Sequence, residues 1–212
     1  MAKSSKQWLR RHVTDQFVRK AREQGYRSRA AYKLMELDER ERIFRPNLVV
    51  IDLGAAPGSW SQIAAAKVKP GGKVIAVDLL EIAPIWGVTV LKGDFRDAAV
   101  LEALEGRKAD VILSDVSPNL SGIANVDQAR SAELSYAALD LCRKALASDG
   151  VFVLKAFQGE AFTEVLQRLK RDFGKVNVRK PEASRGESKE TYVVARNPRK
   201  MDRSAAAALK QE

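Results

Sequence analysis

Residues 49–62 read VVIDLGAAPGSWSQ. Val49, Val50, Ile51 and Leu53 make a short apolar run that stops at Gly54, and a helix-compatible stretch opens near Ser59. Such a run against a glycine turn predicts a buried strand, a loop and a helix start. That junction presents backbone N–H groups at the positive end of a helix. Gly54 and Gly58 omit the side chains that would hold a ligand away from the backbone. The spacing is G-x-x-x-G, so it lacks the G-x-G-x-x-G fingerprint of dinucleotide sites, and it also lacks the Lys-Ser/Thr ending of a P-loop. The loop by itself indicates a small cofactor carrying a ribose.

Outward from this loop, strand and helix patterns alternate. Strands are predicted at 73–80, 86–97, 109–114, 150–157, 175–179 and 190–195, and helices at 26–42, 59–68, 98–105, 127–147 and 162–171. Ser28 is a candidate N-cap for the 26–42 helix, and residues 122–126 read as loop. Residues 1–20 are polar and basic and read as an arm that orders on binding. Alternation of this kind predicts an α/β fold with a mostly parallel sheet covered on both faces. The last two strands are joined by a non-helical segment and should pair antiparallel. In such sheets ligands sit beyond the carboxyl ends of the strands. Gly54, Asp78, Asp94, Asp115 and Lys155 all fall at or near such ends. Asp78 lies 20 residues past Gly58, where an acid can accept hydrogen bonds from ribose hydroxyls.

The 212-residue chain carries a formal net charge of +10, and the excess is segregated. Residues 1–33 hold 10 Lys/Arg against 2 Asp/Glu, and residues 175–203 hold 9 against 4, whereas residues 34–174 hold 17 against 20. Basic ends around an acidic middle suit a polyanionic partner. Arg10, Arg11, Arg19, Lys20, Arg27, Arg29, Lys180, Arg185 and Lys189 are the candidate phosphate contacts. A single cysteine, Cys142, excludes an internal disulfide and fits a reducing compartment. No apolar run approaches the roughly 20 residues of a membrane span. The basic start, MAKSSKQWLRR, has no apolar segment behind it, so a cytoplasmic protein is expected. His12 stands alone in the basic arm and supports neither a metal site nor histidine catalysis.

The segments DLGAAPGSWSQ, GDFRD, SDVSPNLSG, VLKAFQGE and SRGESKETYVVA, in this order, resemble the FtsJ/RrmJ family of S-adenosylmethionine-dependent ribosomal RNA 2′-O-methyltransferases. The resemblance runs from about Phe17 to Ala195. It implies a Rossmann-like methyltransferase fold of seven strands with the last antiparallel, in keeping with the strand count above. It implies a Lys-Asp-Lys-Glu catalytic set at Lys33, Asp115, Lys155 and Glu190. It also implies cofactor contacts at Gly58, Trp60, Asp78, Asp94 and Asp115, beside Gly54 from the loop itself. Ser59 stands where family members often carry a second glycine. The implied cofactor is S-adenosyl-L-methionine, released as S-adenosyl-L-homocysteine, with no metal. The implied substrate is a uridine ribose in the A-loop of 23S rRNA within the 50S subunit, and a monomer is expected. The domain boundaries expected are a basic arm at 1–25, a methyltransferase domain at 26–196 and a basic, Ala-rich tail at 197–212.

A ribose hydroxyl is a poor nucleophile until its proton is taken. Burial and the neighbouring Lys33 favour a neutral Lys155 able to accept that proton, whereas Asp115 and Glu190 favour a charged one that orients the hydroxyl. The sequence leaves both roles open. Two other classes compete: a nicotinamide-dependent oxidoreductase, disfavoured by the glycine spacing, and a non-catalytic RNA-binding module, disfavoured by the presence of all four Lys-Asp-Lys-Glu residues. Messenger-cap and transfer-RNA 2′-O-methylation use the same residue types.

Overall fold

The computed structural model describes residues 15–119, 121–184 and 188–199. Helices α1 (Gln16–Glu23) and α2 (Ala30–Glu41) precede β1 (Val49–Leu53) and α3 (Ser59–Lys67). There follow β2 (Lys73–Asp78), β3 (Val88–Lys92), α4 (Ala98–Glu102), β4 (Ala109–Ser114), α5 (Ala124–Ala145), β5 (Leu146–Phe157), α6 (Glu160–Asp172), β6 (Phe173–Arg179) and β7 (Glu190–Pro198). The strands form one seven-stranded sheet in the order β3-β2-β1-β4-β5-β7-β6. All neighbours are parallel except β7, which runs antiparallel to both β5 and β6.

Every residue of β1 is buried, because the strand is central and covered on both faces. Strand alternation divides its side chains between two cores. Ile51, Leu53, Ile75, Ile112, Phe152 and Leu154 meet residues of α5 and α6 such as Leu139 and Leu169 on one face. Val50, Val74, Val111, Leu113, Val153 and Tyr192 meet Leu34, Leu37, Trp60 and Ile63 of α2 and α3 on the other. The second face carries the site, because Lys155 continues the Val151–Val153 series and pairs across β5–β7 with Tyr192.

Several elements differ from expectation. Strand β3 is Val88–Lys92 rather than 86–97: Trp86 is 80% exposed, and Gly93–Asp97 form a turn in which the Asp94 carboxylate accepts the Arg96 N–H at 2.9 Å. Helix α4 ends at Glu102, before Glu105 and Gly106 adopt positive φ. Helix α5 starts at Ala124, earlier than the sequence pattern indicates, because Asp127 gathers the N–H groups of Ser121 and Gly122 at 2.7 and 3.1 Å. It stops at Ala145, where Leu146 joins β5 by pairing with Ala109. Arg29, rather than Ser28, holds the cap position of α2, and the Ser28 hydroxyl accepts the Ala30 N–H at 3.2 Å. Strand β7 runs on to Pro198.

Part of the expected arm is an ordered helix. Asp15 caps α1 by accepting the Phe17 N–H at 3.0 Å, and Ala21 is buried beside Tyr32 and Ala183. Arg29 fastens this helix by reaching Asp15 and the Ala183 carbonyl. Trp8, Arg10, Arg11 and His12, the segment holding Arg185, and residues 200–212 lie outside the described residues.

Candidate active site

At the carboxyl edge of the sheet, β4, β5 and β7 lie side by side, and each delivers one charged residue. Asp115 follows β4, Lys155 stands near the end of β5, and Glu190 begins β7. Lys33 reaches them from α2. The Lys155 ammonium nitrogen lies 3.0 Å from Asp115 Oδ1 and donates to the Asp115 carbonyl at 2.6 Å. Lys33 Nζ lies 2.6 Å from Glu190 Oε1. Lys33 Nζ also stands 5.8 Å from the centroid of the Tyr192 ring, whose hydroxyl donates to Asp115 Oδ1 at 3.2 Å. The two ion pairs are thereby joined through one aromatic side chain.

Burial sets the electrostatics here. The Lys155 side chain is 9% exposed and those of Lys33 and Glu190 are each 12% exposed, so water screens these pairs weakly. Burial alone would raise the Glu190 carboxyl, but the Lys33 charge and hydrogen bond, with Lys155 beyond, hold it below the ordinary carboxylate range. Burial, then the Asp115 and Glu190 charges, push the Tyr192 phenol well up, so it stays a donor. Tyr192 is not among the site residues expected from the sequence. Its signal was available: in a strand, residues two apart share a face, and Tyr192 stands two places after Glu190.

Beside Asp115 lies a hollow lined by Asp52, Gly54, Ala55, Ser59 and Trp60. Gly54 and Gly58 have φ of +68° and +106°. A Cβ on Gly54 would come within 2.8 Å of Val116 Cγ2, and one on Gly58 within 2.6 Å of Ile85 Cδ1. The room freed by these glycines is taken first by the protein's own Val116 and Ile85. Helix α3 starts from Gly58 without a side-chain cap, so its first-turn N–H groups face the hollow's end of the loop with no side-chain acceptor. Ser59 is the first helical residue, and its hydroxyl is 2.7 Å from that of Ser28. Trp60 is 2% exposed, and its indole N–H donates to the Ala30 carbonyl at 2.8 Å. Its ring belongs to the core, which leaves its backbone for a ligand.

Asp78 and Asp94 end β2 and follow β3. Asp78 Oδ2 accepts the Ala56 N–H at 2.9 Å and Oδ1 the Leu80 N–H at 2.8 Å. A carboxylate offers about four acceptor positions, so both oxygens retain capacity for ribose hydroxyls. Asp94 holds the Arg96 guanidinium, whose hydrogen bonds lower its carboxyl against the opposing effect of burial. Asp52, a carboxylate in an otherwise apolar strand, is also absent from the expected site residues. It is fully buried; Oδ2 accepts the Ser61 hydroxyl at 2.6 Å, and Oδ1 has no hydrogen-bond partner. Burial pushes this carboxyl up to about 7 against the Ser61 bond, with the Asp115 and Asp78 charges adding to the rise. An orphaned acid, an uncapped helix start and two strand-end acids fit a nucleoside that carries a charged amino-acid tail.

Among the candidate phosphate contacts, Arg27 and Arg29 are engaged internally, on carbonyls and on Asp15. Arg19, Lys20, Lys180 and Lys189 are exposed. A separate cavity of about 550 Å³ lies at the opposite sheet edge, lined by Lys108, Cys142, Leu146 and Phe173, and contains none of the site residues. Among the described residues no group of three or more His, Cys, Asp or Glu could hold a metal ion, and no helix is long and apolar enough to cross a membrane.

A seven-stranded sheet with an antiparallel last strand, a glycine loop after β1 and a lysine–acid cluster beyond β4 and β5 define a Rossmann-like methyltransferase. The chain belongs to the FtsJ-like methyltransferase family, whose profile matches residues 26–198. It is 50% identical over 196 residues to the Ribosomal RNA large subunit methyltransferase E of Nitrosospira multiformis, covering 91% of this chain and 95% of that one. It is 51% identical to the protein of the same name from an Azoarcus species, covering 91% and 96%. A crystal structure described as a ribosomal RNA methyltransferase from Plasmodium falciparum superposes with a TM-score of 0.73 at 30% identity, covering 82% of this chain and 98% of that one.

Proposed function

We propose that this enzyme transfers a methyl group from S-adenosyl-L-methionine to the 2′-oxygen of a uridine ribose in the A-loop of 23S rRNA, on the 50S subunit. The observation that carries this reading is the meeting of the Lys155–Asp115 and Lys33–Glu190 pairs beside the hollow under Gly54. The names of the relatives support a large-subunit ribosomal RNA substrate. The enzyme works as a monomer in the cytoplasm, with residues 26–196 as catalytic domain and the segments 1–25 and 197–212 as basic extensions.

The cofactor, when bound, supplies an electrophilic methyl group on a sulfonium whose charge is lost on transfer. Gly54, Gly58 and the backbone of Trp60 would border its amino-acid tail, Asp52 would answer the charge of that tail from beneath, and Asp78 and Asp94 would take ribose and base-edge donors. Lys155 donates to the Asp115 carbonyl and pairs with its carboxylate, and a further tetrahedral position on its nitrogen is left for the ribose oxygen. Deprotonated, that position would be the lone pair that accepts the hydroxyl proton, freeing the ribose oxygen to take the methyl group as its bond to sulfur breaks and S-adenosyl-L-homocysteine leaves. Asp115 fixes the amine, Tyr192 fixes Asp115, and the Lys33–Glu190 pair supplies the flanking charges. Arg19, Lys20, Lys180 and Lys189, with Arg10, Arg11 and Arg185, contact phosphates without reading sequence.

The decisive experiment is labelled methyl transfer to 50S particles from a strain lacking the enzyme, with the product nucleotide mapped. Label on a base, or on a ribose outside the A-loop, refutes the reading.

A further inference from the structure

Arg27 lies in the connection between α1 and α2, a place where the charge map suggests a phosphate contact. Its guanidinium is already occupied. Nη1 donates to the Pro57 carbonyl at 2.9 Å and to the Ala83 carbonyl at 2.7 Å, and Nη2 donates to the Pro84 carbonyl at 2.7 Å. Pro57 belongs to the glycine loop; Ala83 and Pro84 belong to the β2–β3 connection that follows Asp78. Prolines bring no N–H of their own, so these stretches are poor in backbone donors and need an outside one.

The backbone of the same segment is fastened to α3. Arg27 N–H donates to Gln62 Oε1 at 3.0 Å, and Gln62 Nε2 returns a bond to the Gly25 carbonyl at 3.1 Å. Beneath the guanidinium, Ala55 and Ile82 pack with Ala56 and Ile85 into a small apolar cluster between the two loops. A Cβ on Gly58 would stand 3.0 Å from Arg27 Nη1, so the arginine closes over the residue at the cofactor end of α3. The Asp78 bond to the Ala56 N–H is a second tie between the loops.

We propose that Arg27 is a positioning residue for the cofactor pocket: its planar fork locks the loop carrying Gly58 to the connection following Asp78. The proposal rests on the cofactor reading above. The guanidinium reaches the three carbonyls from two nitrogens held in one rigid fork, whereas a lysine ammonium gathers its donors on a single nitrogen and lacks that span. A phosphate contact would instead tolerate lysine, because it requires charge.

The test is calorimetric titration of S-adenosyl-L-methionine into wild type, Arg27→Lys and Arg27→Gln without RNA, with 50S binding measured against salt in parallel. Both variants should weaken cofactor binding about tenfold, raising the cofactor KM with little change in kcat. Their 50S affinity and salt slope should match wild type. Cofactor binding by Arg27→Lys equal to wild type overturns the proposal, as does a salt slope lowered by about one unit in Arg27→Gln. Should Arg27→Gln lose stability, amide exchange of Arg27→Lys decides: faster exchange confined to residues 54–58 and 79–87 supports the clamp, and uniformly faster exchange overturns it. Wild type that binds no cofactor removes the underlying reading and this proposal together, whereas normal wild-type binding with an unaffected lysine variant removes this proposal alone.

Discussion

Asp52 should make the protein less stable as the pH rises, and Asp52→Asn should abolish that dependence. The unfolded carboxyl titrates near 3.8, whereas in the fold burial beneath the glycine loop raises it to about 7. The folded state therefore holds a proton that the unfolded chain has lost. The stability contribution is complete below the unfolded value and disappears as the pH passes through about 7. With about 1.36 kcal/mol for each unit of displacement, raising the pH from 5 to 8 should cost wild type about 2.5 kcal/mol relative to the variant. No discount for solvent applies, because Asp52 is fully buried. Asparagine keeps an acceptor for the Ser61 hydroxyl while removing the titration. The assay is urea unfolding of both proteins at the two pH values, followed by circular dichroism with a shared m-value. Parallel pH curves would refute the reasoning. On the proposed placement of the cofactor tail above Asp52, saturating S-adenosyl-L-methionine should reduce the difference, because a nearby ammonium favours the ionised acid. Cofactor binding should then tighten from pH 6 to 8 and release protons, which titrations in buffers of different ionisation enthalpy report.

Lys155→Arg preserves the charge but cannot accept a proton, so kcat should fall about 10²- to 10⁴-fold, as far as in Lys155→Ala, with cofactor binding intact. Near-normal turnover in the arginine variant would reduce Lys155 to an orienting charge. Gly54→Ala meets Val116 at 2.8 Å in a backbone of φ +68° and should destabilise by about 2–4 kcal/mol in thermal or urea unfolding. Arg19→Gln and Lys20→Gln should each flatten the dependence of 50S binding on salt by somewhat less than one unit of slope. Arg29→Gln should instead lower Tm, because its guanidinium holds Asp15 and Ala183 rather than solvent.

The central strand and its loop were legible because Val49–Leu53, apart from Asp52, is apolar without alternation, as suits a doubly covered strand. Strand β4 shows the same signal, and its bounds match the sequence-based ones. Strand β3 is an edge strand, half-buried at most, so no sharp hydrophobic boundary marks where it begins. Helix α1 is polar along most of its length and is held by Phe17 against Tyr32, at 5.5 Å between ring centroids, and by the Arg29–Asp15 contact. Neither contact is local enough to leave a sequence period. The acids and lysines of the site were legible as residue types at strand ends. The internal roles of Arg27 and Arg29 were not legible because their partners, apart from Asp15, are backbone carbonyls 30 to 154 residues away, which no side-chain pattern encodes.

The direction of β7 decides whether the site exists. The chain leaves β1 towards β2 and β3, then returns to β4 on the other side, so Gly54 and Asp115 flank the crevice where the winding reverses. The parallel strands deliver Asp115 and Lys155 at their carboxyl ends. Glu190 is the first residue of β7, and a first residue reaches that same edge because the strand runs backwards. The register places Glu190 opposite Phe157 and Tyr192 opposite Lys155. In a parallel seventh strand Glu190 would start beside Val151, four residues or about 13 Å from Lys155, beyond the reach of the Lys33 that now pairs with it. The antiparallel strand thus lets three successive neighbours in the sheet, β4, β5 and β7, present acid, lysine and acid at one edge, where α2 adds the second lysine.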